Sequence, residues 1–254
     1  MSLILHTFPP LWGIPSPSPF CVKLGTWLRM VELPHETDHL TRPPRSRTGK
    51  VPYVTLEDGA PYADSGRIIA HLTEALALTI DDHLDPDQRQ TAHLIRRTVE
   101  ESLYFVVVYM RWVPDDAFAV TREGYFAPVP KPLRRLVAAI VRRQARGYVW
   151  GQGIARHHPD DVWAMGAADL AALAQKLGDR EYFFGAPSST DAVVYGCLEN
   201  IRLNPVVGPL QTALEGHANL VAHCQRMRAR YWPELDGASG SEETATVEAA
   251  DQAA

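Results

Sequence analysis

Ser18-Pro19-Phe20-Cys21 has the spacing of a Cys-x-x-Cys redox motif in which oxygen replaces the first sulfur. In such a motif the first position caps a helix and holds the attacking thiolate. A hydroxyl there forms no disulfide, but it can donate a hydrogen bond to the sulfur of a bound thiol. The stretch therefore points away from dithiol exchange and toward a ligand that brings its own thiol, with Ser18 as the candidate catalytic residue. Cys21 lies one helical turn further in, at the place of a resolving cysteine, yet it has nothing to resolve. It is read as a packing residue, with a redox-sensitive or glutathionylated site as the alternative.

The flanking sequence gives the motif its setting. Leu3 to Phe8 reads as a buried strand that runs into a loop stiffened by Pro9, Pro10, Pro15 and Pro17. Ser18 as N-cap and Pro19 at the first helical position then predict a helix carrying Val22, Leu24, Leu28 and Val31, stopped by Pro34. His35 to Leu40 is a weaker second strand, followed by a basic loop with Arg42, Arg45, Arg47 and Lys50. Val51 to Leu56 reads as a strand, Glu57-Asp58-Gly59 as a hairpin turn and Ala60-Pro61-Tyr62 as the returning strand. Asp64-Ser65 opens a helix with Ile68, Ile69 and Leu72. The order β-α-β, loop, β-β-α within residues 1–78 is that of a small α/β domain of thioredoxin type.

After a linker at 79–86 the pattern turns all-helical through residue 235. Asp87 to Val113 reads as one long helix, Lys131 to Arg146 as a basic amphipathic segment, and a further helix ends at Leu177. Two or three more fill Ser188 to Trp232, and the acidic stretch 236–254 reads as a disordered tail. The fold class expected is thus α/β plus all-α.

Composition narrows the function classes. The net charge of −5 resides in that tail, because residues 1–235 balance to zero, so the basic footprint of a nucleic-acid binder is missing. Three scattered cysteines, Cys21, Cys197 and Cys224, do not suit a disulfide framework and fit a reducing, cytoplasmic compartment. The first residues do not read as a signal peptide, and the longest apolar run, Leu103 to Met110, falls short of the ~20 residues that span a bilayer. His157-His158 beside Asp160-Asp161 reads as a helix start, and no metal site is expected.

Two junctions carry further chemistry. A proline opening a strand before a hairpin, as in Val51-Pro52, can adopt the cis form, which would turn the Val51 backbone outward toward a peptide-like ligand; an edge-strand proline is the plainer alternative. Asp64-Ser65 at a helix start offers free N–H groups and a hydroxyl to a carboxylate, or simply caps the helix. Ser18, Val51-Pro52 and Asp64-Ser65 all fall at one end of the expected sheet.

In that combination the N-terminal half resembles the thioredoxin-like domain of the glutathione S-transferase superfamily. Ser18-Pro19-Phe20 stands where omega-type members have Cys-Pro-Phe. Gly49-Lys50-Val51-Pro52-Tyr53-Val54 is similar to the family's glutathione-backbone loop. Ala63-Asp64-Ser65-Gly66-Arg67 resembles the segment that holds the γ-glutamyl end, with Asp where Glu is commoner. Phe183 to Ala192, containing Ser188-Ser189-Thr190-Asp191, is similar to the family's capping-box helix start. The nearest subgroup by this resemblance is the metaxin and failed-axon-connections branch.

The resemblance implies a glutathione S-transferase fold with glutathione as co-substrate and a small hydrophobic electrophile as partner. Ser18 would stabilise the thiolate, and Val51 and Pro52 would meet the cysteinyl backbone. Asp64 and Ser65 would hold the γ-glutamyl group, and Lys50 would reach the glycyl carboxylate. Trp12 and Phe20 are assigned to one wall of a hydrophobic pocket and Tyr104, Tyr109 and Trp112 to the other. The resemblance also implies a homodimer. Against this enzyme stands a non-catalytic member that uses the scaffold for binding or assembly, the more so if the long proline-rich loop closes the thiol site.

Overall fold

The computed structural model describes residues 3–57 and 59–235. The 236–254 tail and the Asp58 position of the hairpin turn lie outside the described residues. Four short strands, β1 (Ile4–Thr7), β2 (Glu36–His39), β3 (Tyr53–Thr55) and β4 (Pro61–Ala63), form one sheet in the order β2-β1-β3-β4. Only the β1–β2 pair is parallel; β3 and β4 run antiparallel to their neighbours. The parallel pair needs a crossover, and α1 (Pro19–Met30) supplies it. The helix α2 (Ser65–Ala75) follows β4 directly. Leu5, Val54, Leu24, Trp27, Leu28, Ile68 and Leu72 close the core between sheet and helices.

The helix α1 ends at Met30, four residues before Pro34, because Glu32 turns the chain with φ of 50°. Its start follows the sequence rules: Ser18 is the N-cap, with its Oγ accepting from the Cys21 amide at 3.4 Å, and Pro19 occupies the first turn.

The remaining chain is helical: α3 (Pro86–Thr98), α4 (Tyr104–Trp112), α5 (Asp115–Tyr125), α6 (Lys131–Gln152), α7 (Pro159–Leu177), α8 (Ser189–Arg202), α9 (Pro209–Glu215) and α10 (Ala218–Tyr231). A π-helical turn at Val99–Leu103 joins α3 to α4, so the long helix read from the sequence is continuous but locally underwound. Among the described residues no helix is long and apolar enough to cross a membrane.

The two halves meet along α1 and α8. Every residue of α8 from Thr190 to Ile201 is buried, and so is nearly every residue of α1 from Pro19 to Leu28. The contact is close because Gly196 has no side chain: a Cβ there would lie 2.5 Å from the Pro19 carbonyl and 2.8 Å from the Lys23 amide. The start of α8 is fixed by the Asp191 carboxylate, which accepts from the amides of Phe183 (3.0 Å) and Ser188 (2.9 Å) and from the Ser188 hydroxyl (2.8 Å). His223 Nε2 lies 3.0 Å from the same carboxylate.

Because the obstacles at Gly196 are backbone atoms, relief requires the helices to separate. Gly196→Ala is expected to destabilise the protein by about 1–3 kcal/mol in chemical denaturation. An unchanged midpoint would show that the helices are free to part.

Candidate functional site

A cleft of about 880 Å³ opens between the sheet end and the helices. Ser18 and Phe20 from the start of α1, Lys50, Val51 and Pro52 from the loop before β3, and Asp64 and Ser65 from the start of α2 all line it. The structure thus brings together residues that the sequence separates by up to forty-seven positions (18 to 65). The opposite wall comes from the π-turn and α4, with Glu100, Glu101, Tyr104, Val108, Arg111 and Trp112, and from α6.

Ser18 is half-buried and faces the cleft. Its oxygen accepts from the Cys21 amide, and its hydroxyl is also within hydrogen-bond reach of the Cys21 thiol. The proline-rich loop does not cover it. The loop carbonyls are tied instead to the helical half: Gly13 accepts from Arg228 at 2.8 Å, Ser16 from Asn200 at 3.3 Å, and Pro17 from both Arg111 (2.6 Å) and Tyr125 (3.1 Å). Cys21 is buried, with its thiol among Thr7, Ser16 and Ser18 and the Phe8 backbone amide. Burial pushes its pKa up against the pull of those hydrogen bonds, so it stays a neutral thiol without access to solvent.

The Val51-Pro52 peptide is cis. The loop before it is held by Ser46, whose hydroxyl donates to the Lys50 carbonyl (2.8 Å) and whose oxygen accepts from the Lys50 amide (3.1 Å). The Lys50 ammonium lies 4.9 Å from the centre of the Tyr148 ring, which links the loop to α6 across the cleft. Asp64 sits at φ of 78°, a backbone region that residues other than glycine rarely occupy, while its Oδ1 caps α2 by accepting from the Arg67 amide at 3.0 Å.

Ser65 is buried under a charge that the sequence reading missed. Lys23, on the inward face of α1, donates to Ser65 Oγ at 3.1 Å and to Glu100 Oε1 at 2.6 Å. Burial lowers the Lys23 pKa, and the Glu100 carboxylate opposes that shift. With its oxygen taken by Lys23, the Ser65 hydroxyl can point its proton only at another acceptor. The π-turn carries Glu100 and Glu101 to the cleft beside Asp64 and Ser65, so a cation and an anion both have partners there.

The aromatic assignments divide. Phe20, Tyr104 and Trp112 line the cleft, and the Phe20 and Tyr104 rings lie 4.7 Å apart. Trp12 and Tyr109 do not, which corrects the sequence reading. Trp12 backs onto Gly124 and the Tyr125 ring, behind the cleft wall. Tyr109 is buried edge-on against Trp163 in the helical core. The reason is angular: at about 100° per residue, position 109 is turned roughly 140° from 104, whereas 108 and 111 return to the same face. Phe105, Tyr148 and Tyr125 complete the wall and were not singled out in the sequence. Helical phase from Tyr104 was the signal for Val108 and Arg111, whereas nothing local pointed to Tyr125 or Tyr148.

His157 and His158 stand at the start of α7, where His158 Nδ1 accepts from the Asp160 amide at 3.4 Å. Among the described residues no group of three or more His, Cys, Asp or Glu is placed to hold a metal ion.

Known proteins of this architecture carry the same two halves. Residues 19–117 match the glutathione S-transferase N-terminal domain family and residues 166–227 the glutathione S-transferase C-terminal domain family. The isoprene-epoxide glutathione S-transferase of Rhodococcus sp. (strain AD45) is 30% identical over 237 residues, covering 90% of this chain and 99% of that protein. Failed axon connections of Drosophila melanogaster is also 30% identical, over 241 residues; the match covers 88% of this chain but only 56% of the relative's length. Among solved structures, a glutathione S-transferase of Ceriporiopsis subvermispora in complex with glutathione superposes with a TM-score of 0.61 at 14% identity, covering 90% of this chain and 97% of that one.

The Lys23–Glu100 pair yields a test of the site's framework. Lys23→Met leaves a carboxylate without its cation and is expected to cost ~3 kcal/mol of stability. Adding Glu100→Gln should recover at least half of that loss in denaturant titrations. Two losses that simply add would locate the cost in packing and not in the pair.

Proposed function

The chain belongs to the glutathione S-transferase superfamily, and from that premise we propose that it binds glutathione in the cleft and transfers its sulfur to a small hydrophobic electrophile. The observation that carries this reading is the Ser18 hydroxyl at the start of α1, lining the cleft with its oxygen accepting from the Cys21 amide.

The chemistry follows from that position. A free thiol of pKa near 9 that ionises below 7 needs roughly 3 kcal/mol of preference for the thiolate. A hydrogen bond to a charged sulfur contributes about 1.5–3 kcal/mol and a helix N-terminus up to ~2 kcal/mol in a partly buried site. In this reading the thiolate gives its electron pair to the electrophilic carbon as the bond from that carbon to its leaving group breaks. The Val51 backbone pairs with the cysteinyl residue beside Pro52. Asp64 takes the γ-glutamyl ammonium, Ser65 donates to its carboxylate, and Lys50 meets the glycyl carboxylate. Phe20, Tyr104 and Trp112 receive the apolar part of the second substrate.

The near full-length relative from Rhodococcus is named for an isoprene epoxide, which makes a small epoxide the first electrophile to offer. Three buried free cysteines support a reducing, cytoplasmic setting, and family membership supports a homodimer.

Isothermal titration with reduced glutathione tests binding, and conjugation of a small epoxide tests turnover. Sub-millimolar to millimolar binding is expected, on the order of the thiol concentrations met in a cell. Ser18→Ala should lower kcat/KM by roughly ten- to a hundredfold, the ~1.5–3 kcal/mol of its hydrogen bond, while the dissociation constant changes only a few-fold. Equal turnover in the variant would remove Ser18 from the mechanism. An absence of binding at ~10 mM glutathione would favour the scaffold reading, binding or assembly without catalysis, and ~10 mM bounds any useful affinity.

A further inference from the structure

Arg111 is a buried cation whose partners are all neutral. The residue is 3% exposed, on the face of α4 that turns to the cleft. Nη1 donates to the Pro17 carbonyl at 2.6 Å and to Tyr125 Oη at 2.9 Å. Nη2 donates to the Asn200 carbonyl at 2.7 Å and to Asn200 Oδ1 at 2.8 Å. Nε is buried with no partner. A guanidinium cannot shed its proton to escape burial, so an uncompensated one carries its full charge in a medium of low dielectric.

The surrounding ionisable groups leave that charge standing. Tyr104 on its own helix, Tyr125 on α5, Cys21 on α1 and Cys197 on α8 are all held neutral by burial, which raises each of their pKa values. Glu100 is paired with Lys23, Glu101 with Arg97, and Glu199 with Arg202 and Arg228, while Asp169 on α7 is half-buried against the Ser102 hydroxyl, where burial raises its pKa.

The Pro17 carbonyl that Arg111 grips belongs to the residue before Ser18, so the cation lies directly behind the first turn of α1. We propose that Arg111 is the built-in countercharge for the ligand thiolate, acting through the field at the Ser18 hydroxyl and positioning that hydroxyl through Pro17. The inference rests on the glutathione reading and deepens it. It makes the site one that selects an anionic sulfur over a neutral one. It also separates two duties that Tyr125 would otherwise share, since Tyr125 holds the same carbonyl without bringing a charge.

The test is a titration of the bound glutathione thiol by its ultraviolet thiolate absorbance in wild type, Arg111→Met, Arg111→Lys, Tyr125→Phe and Asn200→Asp. Arg111→Met should raise the thiol pKa by about one pH unit, a tenfold change in the ionisation equilibrium. Arg111→Lys should restore most of it, and Tyr125→Phe should leave it within a few tenths. Asn200→Asp sets a carboxylate against the guanidinium and should raise the pKa as removal of the charge does, which keeps the test alive if Arg111→Met does not fold. S-methylglutathione, with no proton to lose, should bind wild type and Arg111→Met alike. A thiol pKa unmoved by both Arg111→Met and Asn200→Asp, or moved equally by Tyr125→Phe, overturns the role of Arg111 and leaves glutathione binding intact. Failure of wild type to bind glutathione overturns both.

Discussion

A Cβ at Gly196 would lie 2.5 Å from the Pro19 carbonyl, so α8 passes α1 at a separation that only glycine allows. The consequence reaches the cleft at once, because Pro19 is the first residue after Ser18. The start of α1 is therefore set from two sides, by the sheet through Leu24, Trp27 and Leu28 and by α8 through backbone contact. Close-packed interiors transmit such constraints with little slack. The site hydroxyl thus sits on a helix end that has no room to drift, which is what a group aimed at a developing charge requires.

The same seam concentrates the buried polar groups. Lys23 crosses from α1 to Ser65 and Glu100, Arg111 crosses from α4 to Pro17 and Asn200, and Asp191 ties the start of α8 to Phe183 and His223. Replacing such contacts by apolar side chains would often cost nothing in stability. Their arrangement makes another sense: each fixes a backbone segment that borders the cleft or the helix beneath it. Lys23 also holds the Ser65 oxygen, which leaves the hydroxyl proton to be given to another acceptor. Asp191 takes backbone and side-chain donors together, which fixes where α8 begins and so where Gly196 meets α1.

The readable parts of this protein were those whose chemistry is local. Ser18 followed by proline, and Asp64 before Ser65, name helix starts through capping rules that need only a few neighbouring residues. Val51-Pro52 before a hairpin left the cis form open beside an edge-strand proline, and the peptide is cis. The order of strands and helices followed, because a β-α-β unit with a trailing hairpin has few ways to close. The unread parts depend on phase and partner. Tyr109 looked equivalent to Tyr104 by residue type, yet its angle on α4 sends it to Trp163. Trp12 lay close to Ser18 in sequence, but the loop between them is pinned to the helical half and carries it behind Tyr125. Lys23 was not singled out in the sequence, and only the later turn at Val99–Leu103 supplies the carboxylate that makes its burial tolerable.

Replacing the first sulfur of the motif by oxygen shifts the electrostatic task onto the surroundings. A cysteine at position 18 would carry its own ionisable group, and the helix end would have only to favour the thiolate it already holds. A serine must instead favour a thiolate that arrives with the ligand and shares the cleft with Glu100 and Glu101. One hydrogen bond and a helix terminus together fall short of the ~3 kcal/mol required at the low end of their ranges and exceed it at the high end. A fixed positive charge behind Pro17, held by neutral acceptors, adds to that preference. That is the physical advantage of arginine over lysine at this position: burial depresses an ammonium, as it does at Lys23, whereas a guanidinium keeps its charge.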